Sequence, residues 1–258
     1  MGKLRLAGAM TVLLLAVASP ARAGDRELKT VESATEAVRG LAAIPLKGIP
    51  QSLLQDAAGV AVIPHVVKAA LVVDREFGRG VILAHQPDGQ WSNPVFVTLK
   101  GHGVGGEAGI EATELVLVFK TKKSLDRALR GKLTLGSDVA VAAGPVGRDT
   151  EVARDRRLKA EVFSYSRSRG LFVGVSLEGN KLHVDEGANE DFYHVRGGRA
   201  ADVLGLTGVP IPAAVLPLQE QLTRLSMPSA PPAPVVPAPV VPAPPPVILV
   251  PAPPPIPR

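Results

Sequence analysis

The stretch Gly59-Val-Ala-Val-Ile-Pro-His-Val-Val-Lys-Ala69 decides the fold, because at Gly59 the spacing of apolar residues changes from helical to extended. Gly59 to Ile63 is a β-branched run too short for a helix and bounded by a turn residue, the signature of a strand. The same pattern recurs at Ala69 to Asp74, Gly80 to His85, Val95 to Lys100, Val104 to Ala112 and Glu114 to Thr121. Pro87-Asp88-Gly89 marks a turn between two of these runs and predicts antiparallel pairing of neighbours. A helix is expected over Lys123 to Arg130. Further strands are expected at Thr134 to Ala143, Val162 to Arg167, Leu171 to Leu177 and Lys181 to Asp185, with a charged helix near Glu151 to Lys159. Short helices near Glu186 to His194 and Arg199 to Leu204 close the domain.

Glycine falls inside or beside many of these runs, at Gly101, Gly103, Gly105, Gly106, Gly109, Gly136, Gly144, Gly147, Gly170, Gly174 and Gly179. Interior glycine weakens a flat strand and suits bulges and close backbone approach. The expected fold is therefore α+β, with a strongly curved, mainly antiparallel sheet or partial barrel covered by short helices.

Upstream of Gly59, residues 26 to 44 place Leu28, Val31, Val38, Leu41 and Ile44 near i, i+3, i+4, i+7 spacing, with charged residues mostly between them. This is an amphipathic helix. It has two possible roles, to cover one face of the sheet or to lie on a membrane surface. A second short helical stretch follows from Gln51 to Ala57. Further upstream, Lys3 and Arg5 precede an apolar run from Leu6 to Ala18 and a small-residue end at Ala21-Arg22-Ala23. That order is that of a cleavable secretory signal over residues 1–23, since the run is about 13 residues and a bilayer span needs about 20.

The formal net charge is +5. Cleavage removes three of the 29 basic residues and none of the 24 acidic ones, leaving +2. A chain so balanced has no general electrostatic reason to hold nucleic acid. It contains no cysteine, so neither disulfides nor an acylated-cysteine anchor enter the reading.

Downstream, the domain is expected over residues 24–205, with a linker or short helix over 206–226. From Pro228 to Arg258, 15 of 31 residues are proline, which supports neither helix nor sheet and favours polyproline II. This disordered tail, 227–258, reads as a spacer or tether, or as a ligand for a protein partner.

Motifs of catalysis are weak. Gly101-His-Gly-Val-Gly-Gly106 fits G-x-G-x-x-G in letters, but the acidic, extended Glu107-Ala-Gly-Ile-Glu follows where a dinucleotide site needs a helix N-terminus. There is no G-x-S-x-G elbow, and His65, His85, His102, His183 and His194 stand singly, without zinc-site spacing. Asp138, Asp185 and Glu186 read as turn and cap residues. The expectation is a binding protein that is not an enzyme and takes neither cofactor nor metal. The charge pattern says more: Lys120, Lys122, Lys123, Arg127, Arg130 and Lys132 fall within 13 residues, opposed by Asp126. Such a cluster can bind lipid phosphates or be an ordinary solvated helix and turn.

The strings Gly59 to Ala69, Trp91-Ser-Asn-Pro94, Leu133-Thr-Leu-Gly-Ser-Asp-Val-Ala-Val-Ala-Ala-Gly-Pro-Val-Gly-Arg148, Phe163-Ser-Tyr-Ser-Arg-Ser-Arg-Gly-Leu-Phe-Val-Gly-Val-Ser-Leu-Glu-Gly179 and Asn189-Glu-Asp-Phe-Tyr193 together resemble the SYLF domain. The resemblance covers about residues 30 to 195. It implies binding of phosphoinositides and other anionic phospholipids through an amphipathic N-terminal helix and basic residues; one yeast branch of the family also binds actin filaments, and many bacterial members are exported. Residues 26 to 44 match that helix, and Lys68 matches the lysine of the first string. Asp74-Arg75 departs from the small, glycine-rich pair usual after the second strand.

The combined expectation is an exported protein of the periplasm or cell envelope of a Gram-negative bacterium, peripheral to a membrane. Its partners would be anionic phospholipids. Lys68, Lys122, Lys123, Arg127, Arg130 and Lys132 would contact phosphate, and Leu28, Val31, Val38 and Leu41 would insert. The alternative is an envelope structural or protein-interaction module tethered by its proline-rich tail. Actin enters only if the protein reaches a host cell.

Overall fold

The computed structural model describes residues 24–43, 49–69, 75–101, 110–144, 159–168, 171–172, 177–206 and 212–227. Among the described residues, nine strands form one sheet: β1 (Gly59–Ala69), β2 (Arg75–Ala84), β3 (Val95–Gly101), β4 (Ile110–Phe119), β5 (Lys132–Thr134), β6 (Val141–Ala143), β7 (Val162–Ser168), β8 (Leu171–Phe172) and β9 (Lys181–Val184). Their order is β5-β9-β3-β2-β1-β4-β7-β6, with β8 paired to β7. Every pairing is antiparallel except that of β6 with β7.

Strand β1 is central, and its apolar run reflects burial on both faces. Val60 and Val62 enter one core with Val81, Leu83, Val116, Val118 and Tyr165. Ala61, Ile63 and Val66 enter another with Ile82, Leu99, Leu115, Leu117, Leu133 and Leu182. Strict alternation would put Val66 on the wrong face, but the register shifts between Ile63 and Val66. Pro64 has no N–H to give a ladder, and a bulge there restores the inward set. Across from it, β2 carries Gly80, where an added Cβ would overlap the Val62 carbonyl oxygen. The bulge therefore requires glycine opposite it.

The sheet is strongly curled, as its glycine content predicts. Its outermost strands, β5 and β6, are joined by residues 135–140 alone, a connection reaching at most roughly 20–25 Å. Leu135 and Val139 of this connection are buried in the inner core. The expected single strand from Thr134 to Ala143 is thus two short edge strands with a turn between them. Asp138 shapes that turn by accepting a hydrogen bond from Thr134 N through Oδ2 at 2.6 Å.

Helix α3 (Lys122–Leu129) packs Leu125 and Ala128 into the inner core at the Gly59 end of the sheet. Its N-cap is Thr121, which accepts from Ser124 N at 3.2 Å. The outer face is covered by α1 (Asp25–Ala42), α2 (Gln51–Gln55) and α6 (Leu216–Ser226). Helix α6 buries Leu218 and Leu222, so the compact unit runs through Met227, where the sequence reading put its edge at residue 205. Helices α4 (Glu186–Tyr193) and α5 (Ala200–Leu204) complete the cover beside β3.

Residues 1–23, the expected helix near Glu151 to Lys159 up to residue 158, most of the expected strands Ala69 to Asp74 and Val104 to Ala112, and the tail lie outside the described residues. Among the described residues, no helix is long and apolar enough to cross a membrane.

Candidate functional site

The amphipathic helix resolves one open alternative in the folded state. Val31, Val38 and Leu41 are at most 2 % exposed and belong to the core beneath α1, whereas Leu28 is 36 % exposed. Three of the four residues expected to insert are therefore occupied as cover. Insertion through them requires α1 to leave the sheet. Its far end is fixed by Arg167, whose Nε and Nη2 donate to Glu114 at 2.6 and 2.8 Å. The Glu114 carboxylate raises the pKa of the Arg167 guanidinium against the opposing effect of burial. That guanidinium lies over Gly40 of α1, where any Cβ would overlap it.

The six expected phosphate ligands do not form one patch. Lys68 is the penultimate residue of β1, in register with Glu76 and Glu111, nine residues from the Gly59 end where α3 packs. At about 3.3 Å per residue the two places are roughly 30 Å apart along the strand. Arg127 is already engaged: it donates to the Asp138 carbonyl oxygen and lies 3.7 Å from Glu161. It ties α3 to the edge-strand connection. Lys122, Lys123 and Arg130 remain exposed on or beside α3.

Lys132 belongs to a different cluster, which sequence spacing does not reveal. Beyond the helices, the outer face of the sheet carries two rows of side chains. One row runs Lys132, His183, Thr98, Arg79 and His65 across β5, β9, β3, β2 and β1; the next runs Thr134, Lys181, Lys100, Phe77 and Val67. The residues between them along each strand, such as Leu133, Leu182 and Leu99, point into the inner core. Lys100, Lys132, Lys181 and His65 are exposed. None of these four forms an ion pair among the described residues.

Phe77 and Val67, a cross-strand pair, are 42 % and 37 % exposed. The Arg79 guanidinium carbon stands 5.6 Å from the Phe77 ring centre, a cation–π arrangement. His183 reports the local field: burial first, then Lys100, Lys132 and Lys181, lower its pKa below the ordinary histidine value. Lys100 and Lys181 sit directly opposite each other, a pairing that costs fold stability. The signal for this strip was present in the alternation of Thr98 with Lys100 and of Lys181 with His183. Only strand order brings those fragments, whose partners are 81 to 85 residues apart, into one surface.

The described residues contain no group of three or more His, Asp or Glu placed to hold a metal. What the arrangement offers is charge and apolar contact area. Fold and site together define an α+β domain built on a curled, helix-backed sheet that carries an exposed basic and apolar strip.

The family model described as "Ysc84: Las17-binding protein actin regulator" matches residues 100–225. The SH3 domain-containing YSC84-like protein 1 of Rattus norvegicus is 41 % identical over 179 residues, covering 69 % of this chain and 52 % of that protein. The Homo sapiens protein of the same name is 40 % identical over 179 residues with the same coverage. The LAS seventeen-binding protein 3 of Saccharomyces cerevisiae is 39 % identical over 174 residues, covering 66 % of this chain and 37 % of that protein. The chain belongs to the SYLF domain family. It spans about half the length of the curated animal relatives it matches.

Proposed function

We propose that this SYLF domain binds anionic phospholipid head groups, phosphoinositides included, as a peripheral protein of a membrane surface. One observation carries the reading: Lys100, Lys132 and Lys181 gather on an exposed strip of the outer face beyond the helices, without ion-pair partners among the described residues, beside exposed Phe77 and Val67. Each lysine near an anionic surface contributes about 1 kcal/mol, so three give roughly 3 kcal/mol, a partition change on the order of a hundredfold. Lys122, Lys123 and Arg130, on or beside α3, add attraction, with Arg130 two residues from Lys132. The compartment belongs to the same proposal: export through residues 1–23, and action at the periplasmic or envelope face of a membrane without catalysis.

The test is vesicle flotation of residues 24–227 at low and high salt. Binding to phosphatidylglycerol-containing vesicles that falls as salt screens the surface is the expected result. Indifference to anionic lipid at low salt refutes the reading.

A second reading is a protein partner, favoured by the family description, which names Las17 binding and actin regulation. The tail beyond Met227 would then serve as tether. Deleting residues 228–258 separates the two readings: loss of localisation with vesicle binding intact favours the partner.

A further inference from the structure

We infer that the part of this protein that enters the lipid surface is the Phe77–Val67 pair on β2 and β1, and that α1 stays folded on the sheet. The inference rests on the lipid reading above and specifies its docking geometry. Isolated exposed apolar residues are ordinary on protein surfaces. Here two of them are directly paired across neighbouring strands, on a face where alternation would place polar residues. Lys100 is the next cross-strand neighbour of Phe77, and Lys181 the next after it. With strands about 4.8 Å apart, these ammonium groups flank the apolar pair within about 10 Å at the backbone. Arg79 stands over the Phe77 ring.

An aromatic and an aliphatic side chain bordered by cations match the chemistry of a bilayer interface, where rings settle at head-group depth and phosphates lie at the same level. The Glu114 carboxylate on the neighbouring strand β4 is paired with Arg167. Charge therefore favours an anionic lipid surface as occupant over an acidic-poor or neutral one. Insertion through α1 instead would strip Val31, Val38 and Leu41 out of the core. The sheet pair needs no rearrangement.

The chain has no cysteine, so single-cysteine labelling is site-specific. Phe77→Cys, Leu28→Cys on α1 and Asp88→Cys in the β2–β3 turn are each coupled to an environment-sensitive fluorophore and mixed with phosphatidylglycerol-containing vesicles, with and without spin-labelled lipid. The expected result is a blue shift and quenching for the probe at position 77 and neither at 28 or 88. Unlabelled Phe77→Ala should lower vesicle partition on the order of tenfold, with its urea midpoint unchanged and with Phe77→Leu retaining most of the binding. Quenching at 28 but not 77, or full binding by Phe77→Ala, overturns the inference while the lipid reading stands. Absence of flotation by the parent protein removes the lipid reading and this inference together.

Discussion

Replacing Asn189 with alanine tests how the helical cover is joined to the sheet. Strand β9 stops at Val184, opposite Val97, so the next residue of β3, Phe96, has lost its strand partner on that side. Asp185 N donates to the Phe96 carbonyl oxygen at 2.8 Å, and the Asn189 Oδ1 accepts from Phe96 N at 2.8 Å. The other half of the amide, Nδ2, donates to the Gly198 carbonyl oxygen at 2.7 Å. Asn189 is fully buried, so water cannot replace either bond without a cavity. Alanine orphans a buried N–H and a buried C=O, each costing about 1–3 kcal/mol, for a total of about 2–6 kcal/mol. Against a typical domain stability of about 5–15 kcal/mol this is a large fraction. With a urea slope of about 2–3 kcal/mol per molar, the midpoint should fall by about 0.7–3 M, read by far-UV circular dichroism. Asn189→Asp, which keeps the acceptor but loses the donor, should fall as well. A midpoint for Asn189→Ala within about 0.2 M of the parent would refute the claim that this amide stands in for a missing strand.

Three further outcomes follow from the geometry. Gly80→Ala forces a Cβ into the Val62 carbonyl oxygen across the bulge, and backbone cannot yield there as a side chain can; a loss of about 3 kcal/mol or more, or failure to accumulate folded protein, is expected. Lys181→Glu should act in opposite directions on two assays: it removes the like-charge pair with Lys100 and raises the urea midpoint by the equivalent of about 0.2–1 kcal/mol, while the two-charge change weakens anionic vesicle binding roughly thirtyfold. His183 has a folded pKa below its unfolded value near 6.5, so the unfolded chain binds the proton more readily and stability falls as pH drops below about 6.5. His183→Gln should flatten that part of the stability–pH curve, and an unchanged slope, or an NMR titration at or above the free-histidine value, would contradict the lowering assigned to burial and the three lysines.

Much of the architecture is legible in the chain because both signals that announce strands are strong. The expected runs locate β7, β9 and the first half of β1, although β1 continues past Ile63 to Ala69 and β4 runs unbroken from Ile110 to Phe119 through the break expected at Thr113; glycine density announces curvature. The run from Thr134 to Ala143 misleads, because its apolar residues belong to two edge strands and a buried turn that share one interior. The boundary at residue 205 misleads for a related reason: the stripe of α6 is short, and its buried Leu218 and Leu222 acquire meaning only beside α1. The candidate site was the least legible part. Local clustering finds Lys122, Lys123 and Arg130, yet it also gathers Arg127, which is spent on Asp138 and Glu161.

By itself the sequence determines the class of this protein: periodicity changes at Gly59 and glycine placement lead to an α+β curled sheet, and five separate strings lead to its family. Those are local properties, written within a few residues of one another. Tertiary structure alone decides which face of α1 is spent on the core, and which cations stand free. It also gathers Lys100, Lys132, Lys181 and Phe77 into one surface, because strand order brings together residues that are remote along the chain.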